Sequence, residues 1–489
     1  MKEQKMYLYL VFFATFVLAS SHMRVPSFSD LKVPNVLDEN LANIGDKLPK
    51  LDSKIPNIFG KDIGSIADGL PKLDTNLPKV MDEKIKNVTQ ALPTLDIKPP
   101  SFLGKDIFTK DDRSNKLVAS ELFKKEGYTV EEHVVETEDG YILTMHRIPG
   151  PPGAPTVYIQ HGLLSSSVDW IVPGKNKALP FILADLGYDV WLGNTRGNTY
   201  SKSHKTIPPN DVRYWDFSWH EMGIYDLPAL ISYVVKQKGG NITYIGHSMG
   251  TTMFYVMAIE RPDIASNISL MISLAPVAFM ENIKSPLRLL APFTDQVEAI
   301  FNLLGKGEFL PQRKVTQHVA KLYCGIVPLG DKVCENSLFL IAGFDRSQFN
   351  STLMPTILTY SPAGASTKSM IHYAQEINSG RFHRFDYGPD ENMKKYNSST
   401  PPDYDLSKIK VPMALFWGVN DFLAHPTDVN RLFDGLPNKV MSYQVKHPKF
   451  SHIDFLWAVD APSLLYKEIV DLIKKYSKPT TSSESNIVH

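Results

Sequence analysis

The stretch Ile242-Thr243-Tyr244-Ile245-Gly246-His247-Ser248-Met249-Gly250-Thr251-Thr252-Met253-Phe254-Tyr255-Val256-Met257 decides the fold. Ile242 to Ile245 is β-branched and aromatic and suits a buried strand, whereas Thr251 to Met257 suits a helix. Between them Gly246-His247-Ser248-Met249-Gly250 matches the pattern Gly-x-Ser-x-Gly. In that pattern a strand turns so sharply into a helix that the serine backbone is strained and its oxygen is lifted clear of the sheet. Side chains would collide in the turn, and glycines therefore flank it. A glycine-marked tight turn with a capping serine would give the same five letters. The strand before and the helix after favour a nucleophile, Ser248.

Outward from this turn, strand and helix patterns alternate. Glu131 to Glu136 and Tyr141 to Arg147 read as a hairpin across Glu138-Asp139-Gly140. Further strands are expected at Thr156 to Gln160, Tyr188 to Leu192, Met271 to Leu274 and Met413 to Trp417, with helices at Gly223 to Lys236 and Thr251 to Glu260. The alternation implies an α/β fold with a mostly parallel sheet covered on both faces.

A serine that attacks a carbonyl needs donors for the oxygen that gains charge, a base, and a group to orient that base. One donor is the amide of Met249 at the start of the helix. The other is expected after an earlier strand, where Gln160-His161-Gly162-Leu163-Leu164 places the amide of Leu163. In this fold class the acid and the histidine follow the nucleophile in sequence. Asp421 comes just after the strand Met413 to Trp417 and the turn Gly418-Val419-Asn420, a better position than Asp428, Asp403 or Asp405. The histidines beyond it are His425, His447, His452 and His489. His489 is terminal and His425 would share the loop of Asp421. His447 and His452, which bracket Pro448-Lys449-Phe450-Ser451, stay open on spacing, with His452 modestly ahead.

The 489 residues carry 52 Lys plus Arg and 52 Asp plus Glu, so no net charge asks for a polyanionic partner, and no basic run or zinc-finger spacing suggests nucleic acid. Residues 1–19 combine a basic start with the apolar run Tyr7 to Ala19, too short to span a bilayer, and read as a signal peptide. No later run is long enough to span. Cys324 and Cys334 could close one small loop in an oxidising compartment, or be unrelated buried thiols. Sequons at Asn87, Asn241, Asn267, Asn350 and Asn397 are glycosylation candidates, with Asn241 and Asn267 partly hidden beside strands.

Residues 23–107 repeat with a period of 22: prolines recur at Pro34, Pro56, Pro78 and Pro100, each followed by an apolar position at Leu37, Phe59, Met81 and Leu103. Each unit is too short and too proline-rich to bury a core alone. An extended spacer, a helical repeat binding a lipid surface or partner, and a propeptide-like cover remain open. Residues 478–489 read as a flexible tail.

Residues 115–477, about three quarters of the chain, resemble the animal acid lipases, the gastric and lysosomal enzymes. The resemblance rests on Glu138 to Leu143, Gln160 to Leu164, Gly197-Asn198-Thr199, Trp215 to Met222, Gly246 to Gly250, Gly418 to Asp421 and His452-Ile453-Asp454-Phe455-Leu456-Trp457, in order. It implies an α/β-hydrolase fold, a triad of Ser248, Asp421 and His452, and an oxyanion hole from the Leu163 and Met249 amides. It further implies a mostly helical cap at residues 281–405 with a Cys324–Cys334 cystine. The apolar stretches Leu287 to Phe293 and Ile300 to Leu304 would then line an acyl pocket or the cap's own core. Many relatives have glutamine where this chain has Met249, and the 22-residue repeats are foreign to the family. The implied activity is hydrolysis of acylglycerols or cholesteryl esters at a lipid–water interface, without metal or organic cofactor. A secreted location, a digestive lumen for instance, is implied, with the lysosome as alternative. A carboxylesterase or acyltransferase on smaller esters and an inactive lipid-binding relative are the competing readings.

Overall fold

Buried apolar runs set the strand positions. The computed structural model describes residues 119–239, 241–293, 307–309 and 338–477. The signal peptide, the repeats, the tail, Asn87, Cys324, Cys334 and Ile300 to Leu304 lie outside the described residues. The described strands are β1 (Glu131–Glu136), β2 (Tyr141–Ile148), β3 (Thr156–Gln160), β4 (Asp189–Gly193), β5 (Ser203–His204), β6 (Ile242–His247), β7 (Ile268–Leu274), β8 (Glu308–Phe309), β9 (Ala365–Ser366), β10 (Met413–Trp417) and β11 (Lys439–Gln444).

The main sheet runs β1-β2-β4-β3-β6-β7-β10-β11, with β5 on β2. The β1–β2 and β2–β4 pairs are antiparallel, and from β4 to β11 every neighbour is parallel. β3, β4 and β6 are buried at every position, as strands with both faces covered must be. Helix Met249–Glu260 is apolar on all sides and buried along all but its last residue. Helix Lys467–Tyr476 is amphipathic, burying Ile469, Val470, Leu472 and Ile473.

Some boundaries differ from the sequence reading. β7 starts at Ile268, because Ile268 pairs with Ile242 at the start of β6. The helix expected from Gly223 begins as a wider turn, Met222–Asp226, before Leu227–Lys238. β11 has no counterpart in that reading: its residues Lys-Val-Met-Ser-Tyr-Gln are half polar and partly exposed, as an edge strand allows.

Between β7 and β10 the chain leaves the sheet. The described part of this excursion holds helices Met354–Tyr360, Thr367–Ser379 and Pro389–Tyr396, the 3-10 helix Pro286–Phe293 and the β8–β9 pair. Ala291 accepts a hydrogen bond from Asn378 through its carbonyl, tying that 3-10 helix to helix Thr367–Ser379. From β3 the chain passes to β4 on one side and later to β6 on the other, so strand order reverses there. The crevice beyond the carboxyl ends of strands at such a reversal is where α/β sheets bind ligands.

Candidate active site

Ser248 is the residue between β6 and helix Met249–Glu260, with φ 53° and ψ −121°, a conformation that L-residues avoid. Its N–H donates to the Leu274 carbonyl at 3.0 Å, and its own carbonyl accepts from the Thr251 amide at 2.8 Å and hydroxyl at 2.6 Å. A Cβ on Gly250 would lie 2.6 Å from the Gln160 carbonyl, so only glycine lets the new helix pass the end of β3.

The imidazole of His452 stands between two of the predicted partners. Its Nε2 is 2.8 Å from the Ser248 hydroxyl oxygen, and its Nδ1 is 3.0 and 2.9 Å from the two carboxylate oxygens of Asp421. Asp421 is buried, and its Oδ1 also accepts from the Leu423 and Ala424 amides at 2.9 and 2.8 Å. Nδ1 donates to the carboxylate, which leaves the Nε2 lone pair for the serine proton.

The other candidates have different partners. His447 places its Nε2 2.7 Å from the carboxylate of buried Asp345, and the His425 side chain caps helix Pro426–Gly435. Asp428 accepts from the backbone and side chain of Asn282, Asp403 pairs with Arg381, and Asp405 caps the turn Leu406–Lys408.

Leu163 lies in the loop after β3, which the structure sets against the serine: a Cβ on Gly162 would be 2.9 Å from that of Ser248. Leu164, at φ 61°, offers its carbonyl to the Ala363 amide at 2.7 Å. Met249 is buried and opens its helix, where N–H groups lack intrahelical partners.

Three supports of the site went unread in the sequence. The Ala342 carbonyl accepts from the His452 amide at 3.2 Å and the Phe422 amide at 3.3 Å, so the return segment of the excursion joins the loop of His452 to the loop of Asp421. His247, the variable residue of the turn, has Nε2 2.9 Å from the His452 carbonyl, and its burial pushes its pKa down to about 3. Asp454 accepts from the Ser451 amide at 2.6 Å, and burial pushes its carboxyl up to about 8. His247 and Asp454 stood inside the quoted motifs, but only the tertiary contacts show their partners. Nothing in the local sequence marks Ala342.

A family model for a partial alpha/beta-hydrolase lipase region matches residues 119–174, and one for the alpha/beta hydrolase fold matches residues 155–318. The chain is 43% identical over 364 residues to Lipase 3 of Drosophila melanogaster, covering 73% of this chain and 92% of that protein. To human gastric triacylglycerol lipase it is 41% identical over 362 residues, 72% of this chain and 89% of that one. This chain belongs to the acid lipase family of α/β-hydrolases. Human lysosomal acid lipase/cholesteryl ester hydrolase is 38% identical over 379 residues, 75% of this chain and 93% of that protein. The chain is thus a carboxylic ester hydrolase that acts on lipid esters.

In this lipase Asn350 and Asn397 are exposed, and Asn267 is half-buried with its side-chain amide donating to the Ile264 carbonyl. Asn241 is exposed rather than hidden, because it precedes β6 at the sheet's rim. Among the described residues no helix is long and apolar enough to cross a membrane, and no group of His, Cys, Asp and Glu is suited to a metal ion.

Proposed function

We propose that Ser248 is the nucleophile, His452 the general base and acid, and Asp421 the residue orienting it, in hydrolysis of long-chain acylglycerols or cholesteryl esters. The supporting observation is the continuous relay from Asp421 through both ring nitrogens of His452 to the Ser248 hydroxyl. As the serine oxygen attacks the ester carbonyl, His452 Nε2 takes its proton. The carbonyl electron pair moves onto oxygen and is held by the Leu163 and Met249 amides. Protonated His452 returns the proton to the departing alcohol, leaving an acyl-serine. Water, deprotonated by the same nitrogen, then releases the fatty acid. No step draws on a metal or organic cofactor.

The reading of substrate class and compartment is supported by the relatives, named for triacylglycerol and cholesteryl ester hydrolysis and for stomach and lysosome. We read the enzyme as secreted or lysosomal, working at a lipid–water interface, with a signal peptide at 1–19, a Cys324–Cys334 cystine and N-linked glycans. Serine-directed fluorophosphonate should label Ser248, and Ser248→Ala should lower turnover by about four or more orders of magnitude with an unchanged circular dichroism spectrum. Near-normal turnover would sink the assignment. Comparing emulsified long-chain acylglycerol with a soluble short ester, with and without an added alcohol, separates lipase from esterase and acyltransferase.

A further inference from the structure

We propose that His161 is a positioning residue that aims the Leu163 N–H into the oxyanion hole, under the control of Asn198 and Thr195. The inference rests on the reading of Ser248 as nucleophile and names the device that fixes one of its two donors.

The ring of His161 is buried at the end of β3. Its Nδ1 is 2.8 Å from the Gly162 carbonyl oxygen. Its Nε2 faces the Thr195 amide at 3.2 Å and the Asn198 side-chain nitrogen at 3.1 Å. A carbonyl can only accept and a backbone N–H can only donate, so the proton sits on Nδ1 and the lone pair on Nε2. Burial pushes the pKa of this imidazole down to about 4, which keeps that neutral form through the neutral range.

The bond to Gly162 matters because of what shares its peptide unit. The Gly162 carbonyl and the Leu163 N–H belong to one planar trans amide and point in opposite directions. Fixing the oxygen on His161 therefore fixes the direction of the N–H. The same carbonyl accepts from the Ser165 amide at 3.4 Å, a longer and weaker contact. Accepting at oxygen also polarises the amide, so its N–H becomes a better donor.

The partners at Nε2 are themselves held. Asn198 Oδ1 accepts from the Tyr200 and Ser201 amides, which turns its side-chain nitrogen toward His161 and Asn194. Arg196, between Thr195 and Asn198, is buried and bound by Asp226 at 2.7 Å and by both oxygens of Asp139 at 2.6 and 2.8 Å. This ion cluster makes the loop after β4 a rigid platform, and His161 transmits its position to the loop after β3.

The test uses full-length enzyme, titrated with fluorophosphonate, on a soluble p-nitrophenyl ester and with a trifluoromethyl ketone that forms a tetrahedral oxyanion on the serine. Losing one oxyanion donor costs about 100- to 1000-fold in kcat, so His161→Ala should lower kcat by about tenfold or more, with KM within about twofold. The ketone should bind more weakly by a similar factor. His161→Asn, whose amide nitrogen can stand in for Nδ1, should recover much of the loss. Asn198→Ala, which leaves the elbow untouched, should give a smaller fall of the same kind and serves if His161→Ala fails to fold. Wild-type kcat in both alanine variants, a fall in kcat with unchanged ketone affinity, or a folded His161→Asn no better than alanine would overturn the proposal. A wild-type enzyme that is not labelled at Ser248 would instead remove the reading beneath it.

Discussion

At the scale of single residues, His447 and His452 are chemically alike and five positions apart, yet their partners separate their consequences. His452→Ala removes the imidazole 2.8 Å from the Ser248 hydroxyl, and kcat should fall by about four or more orders of magnitude. Among the described residues, His447→Ala leaves buried Asp345 with the Ser347 hydroxyl as its side-chain partner, and should cost roughly 1–3 kcal/mol of stability while most turnover survives. Rates and urea midpoints of the two purified variants check this, and reversed rates would overturn it. Asp454 carries a pH signature. Its folded pKa is about 8 against 3.8 for a free carboxyl, so across that window the folded chain holds a proton the unfolded chain has lost. Stability should therefore fall as pH rises from about 4 to 8. His161 and His247, depressed to about 4 and 3, act in the opposite sense but only below their ordinary 6.5. Between pH 6.5 and 8 the melting temperature of wild type should therefore drop more steeply than that of Asp454→Asn; parallel curves would remove Asp454 as the source.

At the scale of elements, the return segment of the excursion ties together the two loops that carry Asp421 and His452. Gly343, next to the bridging Ala342, has φ +113°, and an added Cβ would lie 2.1 Å from the Asn420 carbonyl, one residue before Asp421. Gly343→Ala should cost at least about 2 kcal/mol and, by shifting the acid loop, lower kcat more than it raises KM. A folded variant with wild-type kcat and melting temperature would show the loop to be more yielding than its geometry implies. Elements differ in how far the sequence disclosed them. β3 and β10 fall on the predicted residues because they are apolar runs bounded by turn residues. The Asp-Gly hairpin forms with Glu136 opposite Ile142 for the same local reason. β11 was not legible, since an edge strand needs no continuous apolar run, and its partner β10 alone shows where it belongs. In the site, serine, acid and base could be sought by motif and chain order. Spacing could not decide between two histidines in one loop, a choice that rests on a contact across 204 positions. The supports from Ala342, His247 and Asn198 are backbone and buried-polar contacts without a local pattern.

At the scale of the whole chain, every residue proposed for bond breaking lies at or beyond His161, whereas the 22-residue units end near residue 107. Removing residues 23–107 should leave soluble-ester turnover unchanged at equal active-site titre. If the units act together at a lipid surface, activity on an emulsion should fall with the same deletion, because several weak contacts acting at once bind far better than one. Loss of soluble-ester turnover in a folded truncation would disprove the independence of the catalytic body, and equal activity on both substrates would remove the surface role.

The separation of Ser248 from His452 by 204 positions has a consequence in time. Translation at about 5–20 residues per second puts roughly 10–40 s between the emergence of Ser248 and that of His452. Asp421 appears only 31 residues before His452, and the Ala342 carbonyl that ties their loops together also follows the serine. On the roles proposed for them, the nascent chain carries the serine throughout that interval without the imidazole that would deprotonate it. On those roles, chain order alone withholds ester cleavage until the segment bearing His452 has been made.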